Sequence, residues 1–485
     1  MFDVKKTSPG RRPVSLKALT EAADLGNPEA QFQLGQLCWD GKGVPRDFPA
    51  AAGWYRLAAV QDHTEAQYLL GKMYHSGNGV AQNLQEADKW FTQAAAGNHL
   101  EAQYCLGLIS EASACPSCEA QEAAGWYSRA ALQGHAGAQE KMGDFSLDGW
   151  GGMPQNDEEA LRWYHLAAEQ GLASAQYSLG SMYQDGLGTE TDLDEALKWL
   201  RLAAGQDHTE AQYALGTMYQ FGTGPDQNLD EAGRWLRLAA GRNHVKAQFG
   251  LGQVCEAVFK PGDEADESYQ WYSQAAVQGH AEAQEKVASY NAEGLRVPKN
   301  DKEALKWYRR AAEQNLASAQ NSLGAVFMKG RGVPRDLTES FKWFRRAAEQ
   351  GLAEAQYCLG SMYLTGQGTA RNPFEAVKWI HLAADWGVPE AQAKLGCLWL
   401  KGEDVPKDYG RAFKYLSLAA GQNSASAQFN LGLMYWHGWG TPHDGETAAE
   451  YFSLAAAAGF PEALEMLNSS LDFLRPVQLK PKKYA

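Results

Sequence analysis

No stretch of this 485-residue chain approaches the roughly 18 consecutive apolar residues that a membrane-spanning helix needs, so no membrane insertion is expected. Cysteine is scarce and odd in number, seven in all, which excludes a disulfide framework and makes a reduced, cytoplasmic compartment the expected location. Basic charge is in deficit: 44 Lys and Arg stand against 58 Asp and Glu, a net charge of −14. A nucleic-acid partner is therefore not expected, because binding phosphates takes a basic surface. Enzyme signatures are missing as well, with no HExxH, no GxSxG and no GxxxxGK(S/T). No catalytic residue, metal ligand or cofactor is assigned. The opening segment, MFDVKKTSPGRR, is charged and leads into no apolar stretch, so a secretory signal is not expected either. What is plentiful is apolar residues, at 45%, too many for a disordered chain.

Length alone would suggest about three domains at roughly 150 residues each. The chain is periodic, however, and periodicity overrides that count. The dipeptide Ala-Gln recurs at Ala30, Ala66, Ala102, Ala138, Ala175, Ala211, Ala247, Ala283, Ala319, Ala355, Ala391 and Ala427. The steps are 36 residues, apart from one of 37 between Ala138 and Ala175. A fixed period of this size is the mark of a solenoid.

Each unit reads as two helices. In AEAQYCLGSMYLTGQGT, Ala355, Leu359, Met362 and Tyr363 fall on one helical face, and Gly366 and Gly368 supply the positive φ that ends a helix. The next segment, NPFEAVKWIHLAADWG, opens with Pro373 in a first turn. Its second apolar stripe is read as Phe374, Val377 and Ile380. Ten tryptophans, from Trp54 to Trp379, share one place in the second helix, and Tyr415 and Tyr451 take it in the last two units. A flat ring repeated in every layer is a packing device. One hairpin has too little core to stand alone, so stacking must supply it.

The expected organisation follows. Residues 1–13 form a disordered N-terminal segment, residues 14–474 the solenoid, and residues 475–485 a basic tail. VSLKALTEAAD closes the front as an orphan second helix, and PEALEMLNSSLDFL closes the back as an orphan first helix.

With these residues in view, the pattern AEAQYxLGxMYxxGxGxxxDxxEAxxWyrxAAeqGh resembles the Sel-1-like repeat (SLR), a longer relative of the tetratricopeptide repeat. AQYSLGSMYQDGLG from Ala175 and KWYRRAAEQNLASAQ from Lys306 carry it clearly. The resemblance implies an all-α fold: a right-handed α/α superhelical solenoid of about twelve 36-residue helix–turn–helix repeats with a capping helix at each end. It also implies a non-enzymatic scaffold or adaptor that binds protein partners. Some relatives are secreted or envelope-associated effectors, and hydrolase activity on cell-wall-like substrates has been attributed to others. Both stand as alternatives.

By likeness to tetratricopeptide repeats, the residue after each Ala-Gln, with those four, seven and eight positions on, would face a concave groove that takes a peptide segment or helix. The first of these positions is aromatic in eight of twelve units, Tyr68, Tyr104, Tyr177, Tyr213, Phe249, Tyr357 and Phe429 among them, together with Phe32. Asp185 lies eight positions after Tyr177, while Trp39, Phe221 and Trp436 would add bulk at the groove lip. The same aromatics can equally serve packing between repeats, and both readings stay open.

Two units, near residues 102–160 and 247–300, depart from the pattern. Their turns, LISEASACPSCEAQEA and VCEAVFKPGDEADES, lack Gly-x-Gly, and the units that follow put Glu140 and Glu285 in the aromatic position. These features lie 145 residues apart, and residues 62–90 agree with 207–235 at about two-thirds of positions. A block of four repeats was duplicated whole, its oddities included. Either a drifted spacer or a retained function accounts for that.

Arg309 and Arg310 are equivalent to Arg345 and Arg346 one layer on, which predicts a basic ridge: a solvated face, or a docking strip for an acidic segment. Cys115 and Cys118 form the one CxxC, a possible redox pair or a plain surface thiol pair. His63, His99, His135, His208, His244 and His280 share one place before the Ala-Gln helix, which reads as a structural helix start.

Overall fold

The computed structural model describes residues 15–112, 119–150, 152–260 and 267–474. The expected terminal segments, and the Cys115/Cys118 pair, lie outside these residues. Among them the chain forms 26 helices and no strand. It divides into two compact units, residues 1–242 and 243–485. The first unit begins with the lone helix Leu16–Asp24, followed by six antiparallel hairpins from Pro28–Asp40 to Leu229–Gly241. The second runs through six hairpins from Val245–Val258 to Gly445–Ala457 and closes with the lone helix Pro461–Leu474. Both capping helices are thus where the sequence placed them.

Hairpins form because each helix start and stop is locally specified. Second helices open on an Asn or Asp, as at Asn83, Asp192 and Asp444, whose side-chain oxygen accepts from backbone N–H groups two and three residues on. Most first helices end on a left-handed glycine, such as Gly186 at φ +69, whereas Val245–Val258 ends on Phe259 in an extended conformation. The next glycine, Gly188, has φ +70, and a Cβ there would stand 2.3 Å from the Asp157 carbonyl oxygen of the preceding second helix. That turn therefore needs glycine for its own conformation and for the close approach of its neighbour. Within eleven of the twelve pairs a second glycine admits the partner helix, Ala288 taking its place in the other: a Cβ on Gly107 would come within 2.4 Å of the Tyr127 ring.

The face read from the first helix is correct, with Ala355, Leu359 and Met362 buried and Tyr363 packed at the edge of a cluster. The second-helix stripe needs a correction. Ile380 is fully buried and Val377 packs partly, but Phe374 is 87% exposed. At about 100° per residue, Phe374 lies about 120° around the helix from Ile380, outside the apolar stripe. The second-helix tryptophans reach backward between layers. Trp54 packs on the cluster of Leu19 and Ala23, Trp163 on that of Tyr127 and Phe145, and Trp379 on that of Phe344.

The glutamine of Ala-Gln is buried in all twelve repeats. In at least ten of them its Nε2 donates to an alanine carbonyl eight residues earlier, at the end of the preceding second helix, over 3.0–3.4 Å. In nine, its Oε1 accepts from a residue just past the end of its own second helix, as Gln206 donates to Gln176 at 2.8 Å. One side chain thus ties three successive helices.

The six histidines are N-caps. Each accepts a backbone N–H at Nδ1 over 3.0–3.4 Å. The Nε2 atoms of His63, His99 and His135 lie 3.3, 2.9 and 3.4 Å from Glu29, Glu65 and Glu101 of the preceding repeat. An acceptor Nδ1 must be unprotonated, so an imidazolium would forfeit the cap. His208 and His280 are held below the usual histidine range, chiefly because burial penalises the charged ring. Glu210 at 3.9 Å and Glu282 at 3.2 Å oppose that shift, while Lys246 adds to it at His280.

Two expectations follow from these contacts. At Trp386 and Ala458 the terminal donor is missing, and Gln356 Oε1 and Gln428 Oε1 are buried without a hydrogen-bond partner. Trp386→Gln restores the donor, so denaturant unfolding should show a gain of about 1 kcal/mol. Regarding pH, unfolding returns His208 and His280 to an ordinary pKa of about 6.5, so the unfolded chain binds more protons below it. Their contribution is present above about pH 6.5 and lost as pH falls toward the folded values. Melting followed from about pH 7 to about pH 5.5 should show that loss, and it should be smaller in His208→Asn/His280→Asn, which keeps a capping oxygen but cannot titrate.

Candidate partner-binding surface

First helices carry the variable side chains, because Ala, Gln, Leu and Gly at their fixed positions are committed to packing. The aromatic after Ala-Gln lies at the boundary between these roles. Tyr68, Tyr104, Tyr177 and Phe249 are half-buried, and each ring stacks on the capping histidine of the next repeat, His99, His135, His208 and His280, with centroids 4.3–4.9 Å apart. Phe429 stacks instead on Phe460 at 4.8 Å. Tyr357 packs beside the cluster of Leu364 and Ile380, and Tyr213 is half-buried. These rings therefore contribute to packing between repeats and keep only an edge toward solvent.

The remaining sequence-selected residues are scattered. Phe221 is 65% exposed, Asp185 is exposed, and Trp436 is half-buried with its ring edge-on to His443 at 6.0 Å. Arg309, Arg310, Arg345 and Arg346 are exposed on the second helices Asp301–Glu313 and Leu337–Glu349. Arg310 and Arg346 lie over the Trp307 and Trp343 rings at 4.9 and 4.5 Å, and Arg345 pairs with Glu349 at 2.7 Å. Part of the basic ridge is thus spent covering tryptophan. Among the described residues no group of three His, Cys, Asp or Glu side chains is placed to hold a metal ion. Cys105 and Cys358 carry thiols that burial pushes up to about 11, which makes them poor nucleophiles.

Two features emerge that the sequence reading did not single out. The first is a cleft across the first helices Pro28–Asp40, Thr64–Ser76 and Leu100–Ala112. It has two lobes. One, of about 500 Å³, has a mixed lining in which Trp39, Leu69 and Met73 lie among polar side chains such as Asp40, Glu65 and Asn78. The other, of about 360 Å³, is lined by Tyr68, Phe91, Leu108 and Ile109, and both share Lys72 and His75. The legible signal was Leu108, which stands where neighbouring repeats carry Lys72 and Asp144.

The second is a polar triad present in both atypical units. Tyr127 Oη donates to Glu111 at 2.6 Å, and Lys141 of the next first helix donates to the same carboxylate at 2.9 Å. In the other copy Tyr272 donates to Glu256 at 2.7 Å, and Lys286 donates to it at 3.1 Å. Burial works against the Glu256 charge, yet hydrogen bonds from Tyr272, Lys286 and Tyr290 outweigh it and hold the carboxyl below its usual range. Glu140 and Glu285 behave oppositely. Burial raises both, against hydrogen bonds to Ser174 and Ser318 that favour the ionised form. The common offset of 145 residues was the signal for the triad.

Among the described residues no helix is long and apolar enough to cross a membrane. A family model for the Sel1 repeat matches twelve times, at residues 28–63, 64–99, 100–135, 136–172, 173–208, 209–244, 245–280, 281–316, 317–352, 353–387, 389–424 and 425–460. No curated protein matches the chain. Among solved structures it is similar to a protective antigen present in uropathogenic Escherichia coli strains and displaying an SLR fold. The two are 30% identical over 97% of this chain and 100% of that one, with a TM-score of 0.78. A Sel1 repeat protein from Oxalobacter formigenes is also 30% identical, over 71% of this chain and 88% of that one, with a TM-score of 0.39. An immunity protein from Pseudomonas aeruginosa is 20% identical over 50% of this chain and 92% of its own, with a TM-score of 0.30. The twelve tandem matches agree in phase with the helix hairpins and the buried glutamines, and the chain belongs to the Sel1 repeat family.

Proposed function

We propose that this protein is a non-enzymatic, cytoplasmic scaffold that binds protein partners along the faces of its first helices. Repeat solenoids of this kind are in general protein-interaction scaffolds, and that much follows from the architecture. The observation that favours the first-helix face is the two-lobed cleft from Trp39 to Ile109, built by side chains of three consecutive repeats. Apolar side chains line most of the second lobe, and in the first they alternate with polar groups such as Asp40, Glu65 and Asn78, a mixture that suits the anchor side chains of an amphipathic helix or extended segment. In this reading Tyr68, Tyr104, Tyr177, Tyr213, Phe249, Tyr357 and Phe429 offer ring edges along the same face, with Asp185, Phe221 and Trp436 beside them. The basic ridge on the second helices is a secondary contact for an acidic segment.

A second reading, export to the envelope or the exterior, is favoured by one finding: the E. coli relative, matched over 97% of this chain, is a protective antigen. Fractionation of source cells separates the two, since recovery with the envelope or the medium would displace the cytoplasmic assignment. The binding reading is tested by a photo-crosslinking residue placed at Leu108 or, as a control, at Leu202 on a second helix. Adducts to a defined protein are expected from Leu108 and not from Leu202. The double variant Tyr177→Ala/Tyr213→Ala should lose a partner that the wild type retains, while keeping its helical circular dichroism. Equal adducts from both positions, or a partner retained by the folded variant, would remove the first-helix face from consideration.

A further inference from the structure

The partner's chemistry is written in the repeats that follow the cleft, and this inference rests on the first-helix reading above. In the second and third repeats the positions facing the cleft are Tyr68, Lys72 and Ser76, then Leu108 and Ala112. In the fourth repeat the equivalent positions are Glu140, Asp144 and Asp148. Carboxylates thus occupy the places that are mostly apolar or small one and two layers earlier. Glu111 belongs to the same helix as Leu108 and Ala112, at i+3 from Leu108, so the transition from apolar to acidic occurs along a single helix. Asp185 continues the acidic run one layer further. Against these five carboxylates the fourth first helix offers one cation, Lys141, already engaged by Glu111 at 2.9 Å.

Holding this charge together is costly. Burial raises Glu140 and Asp144 above the usual carboxylate range, and Asp148 pushes Asp144 further in the same direction. Tyr164 donates to Asp144 at 2.7 Å, which satisfies one oxygen but brings no positive charge. A cationic side chain laid on this strip would offset that repulsion, whereas an acidic one would add to it.

We propose that the first-helix face of the first unit takes a protein segment whose bulky apolar side chains fill the Trp39–Ile109 cleft and whose adjoining lysines or arginines lie on Glu140, Asp144, Asp148 and Asp185. Apolar anchors supply the affinity, and the acidic strip sets direction and excludes acidic segments.

A random peptide library displayed on phage, panned against the full chain, reads this directly. Enriched peptides should carry a bulky apolar pair with Lys or Arg within a few residues of it. A synthesised winner should lose about tenfold in affinity on Asp144→Asn/Asp148→Asn, about as much on Leu108→Glu, and nothing on Leu202→Glu, with weaker binding as salt is raised. Asn keeps an acceptor for Tyr164, and circular dichroism confirms the fold of each variant. Winners that depend on Leu108 but lack basic residues, or ignore Asp144→Asn/Asp148→Asn, would overturn the basic-segment proposal and leave the scaffold reading standing. No enrichment, or winners indifferent to every first-helix variant, would overturn both.

Discussion

The structure depends above all on one buried amide per repeat. A second helix ends with carbonyl groups that have no partner within it, and an end packed under the next hairpin cannot rely on water. The glutamine of Ala-Gln adds a side-chain donor to a terminal carbonyl that also accepts from a turn N–H, and recruits a second donor, 30 residues on, from the other side. The alanine beside it is almost fully buried in every repeat, leaving room for that approach. This contact survives a change in the period. In the single 37-residue repeat, the glutamine still meets its donor, now 31 residues away, and the extra residue is absorbed in the turn before Asn156.

This explains why the fold was legible and much of the face was not. Fixed columns are constrained by contacts identical in every layer, so self-similarity exposes them directly. Helix stops at glycine and starts at Asn or Asp are local, and each was readable within a few residues. The partners of the buried glutamine lie eight and 30 residues away on different helices, so the sequence displayed the dipeptide without its reason. Phe374 misleads for another reason: an apolar residue near a helix start matches the stripe by type, although its angle points it to solvent. Sequence alone left packing and recognition as equal readings for Tyr177. The stack on His208 makes packing one of its roles.

The atypical units show how a core substitution brings a polar partner with it. Where the second-helix core residue is Phe91, Leu200 or Leu236, the site is apolar throughout. Where it is Tyr127 or Tyr272, a hydroxyl is carried to the end of the first helix and needs an acceptor. Glu111 and Glu256 provide it, and Lys141 and Lys286 balance the charge. Retention of this set in both copies therefore needs no function beyond satisfying a buried hydroxyl.

Glu140 and Glu285 do not share that excuse. Each replaces a ring that elsewhere stacks on a histidine, and burial raises each carboxyl more than a serine hydrogen bond and the adjacent lysine, Lys141 or Lys286, lower it. The two copies then diverge beside them: Asp144 and Asp148 in the first correspond to Ser289 and Glu293 in the second. Packing columns were kept through the duplication while facing columns drifted apart. A solenoid permits this because a layer is held by its alanines, glutamines and leucines, leaving the intervening positions to vary without cost to the stack. The facing positions differ between the units for the same reason that the fold does not.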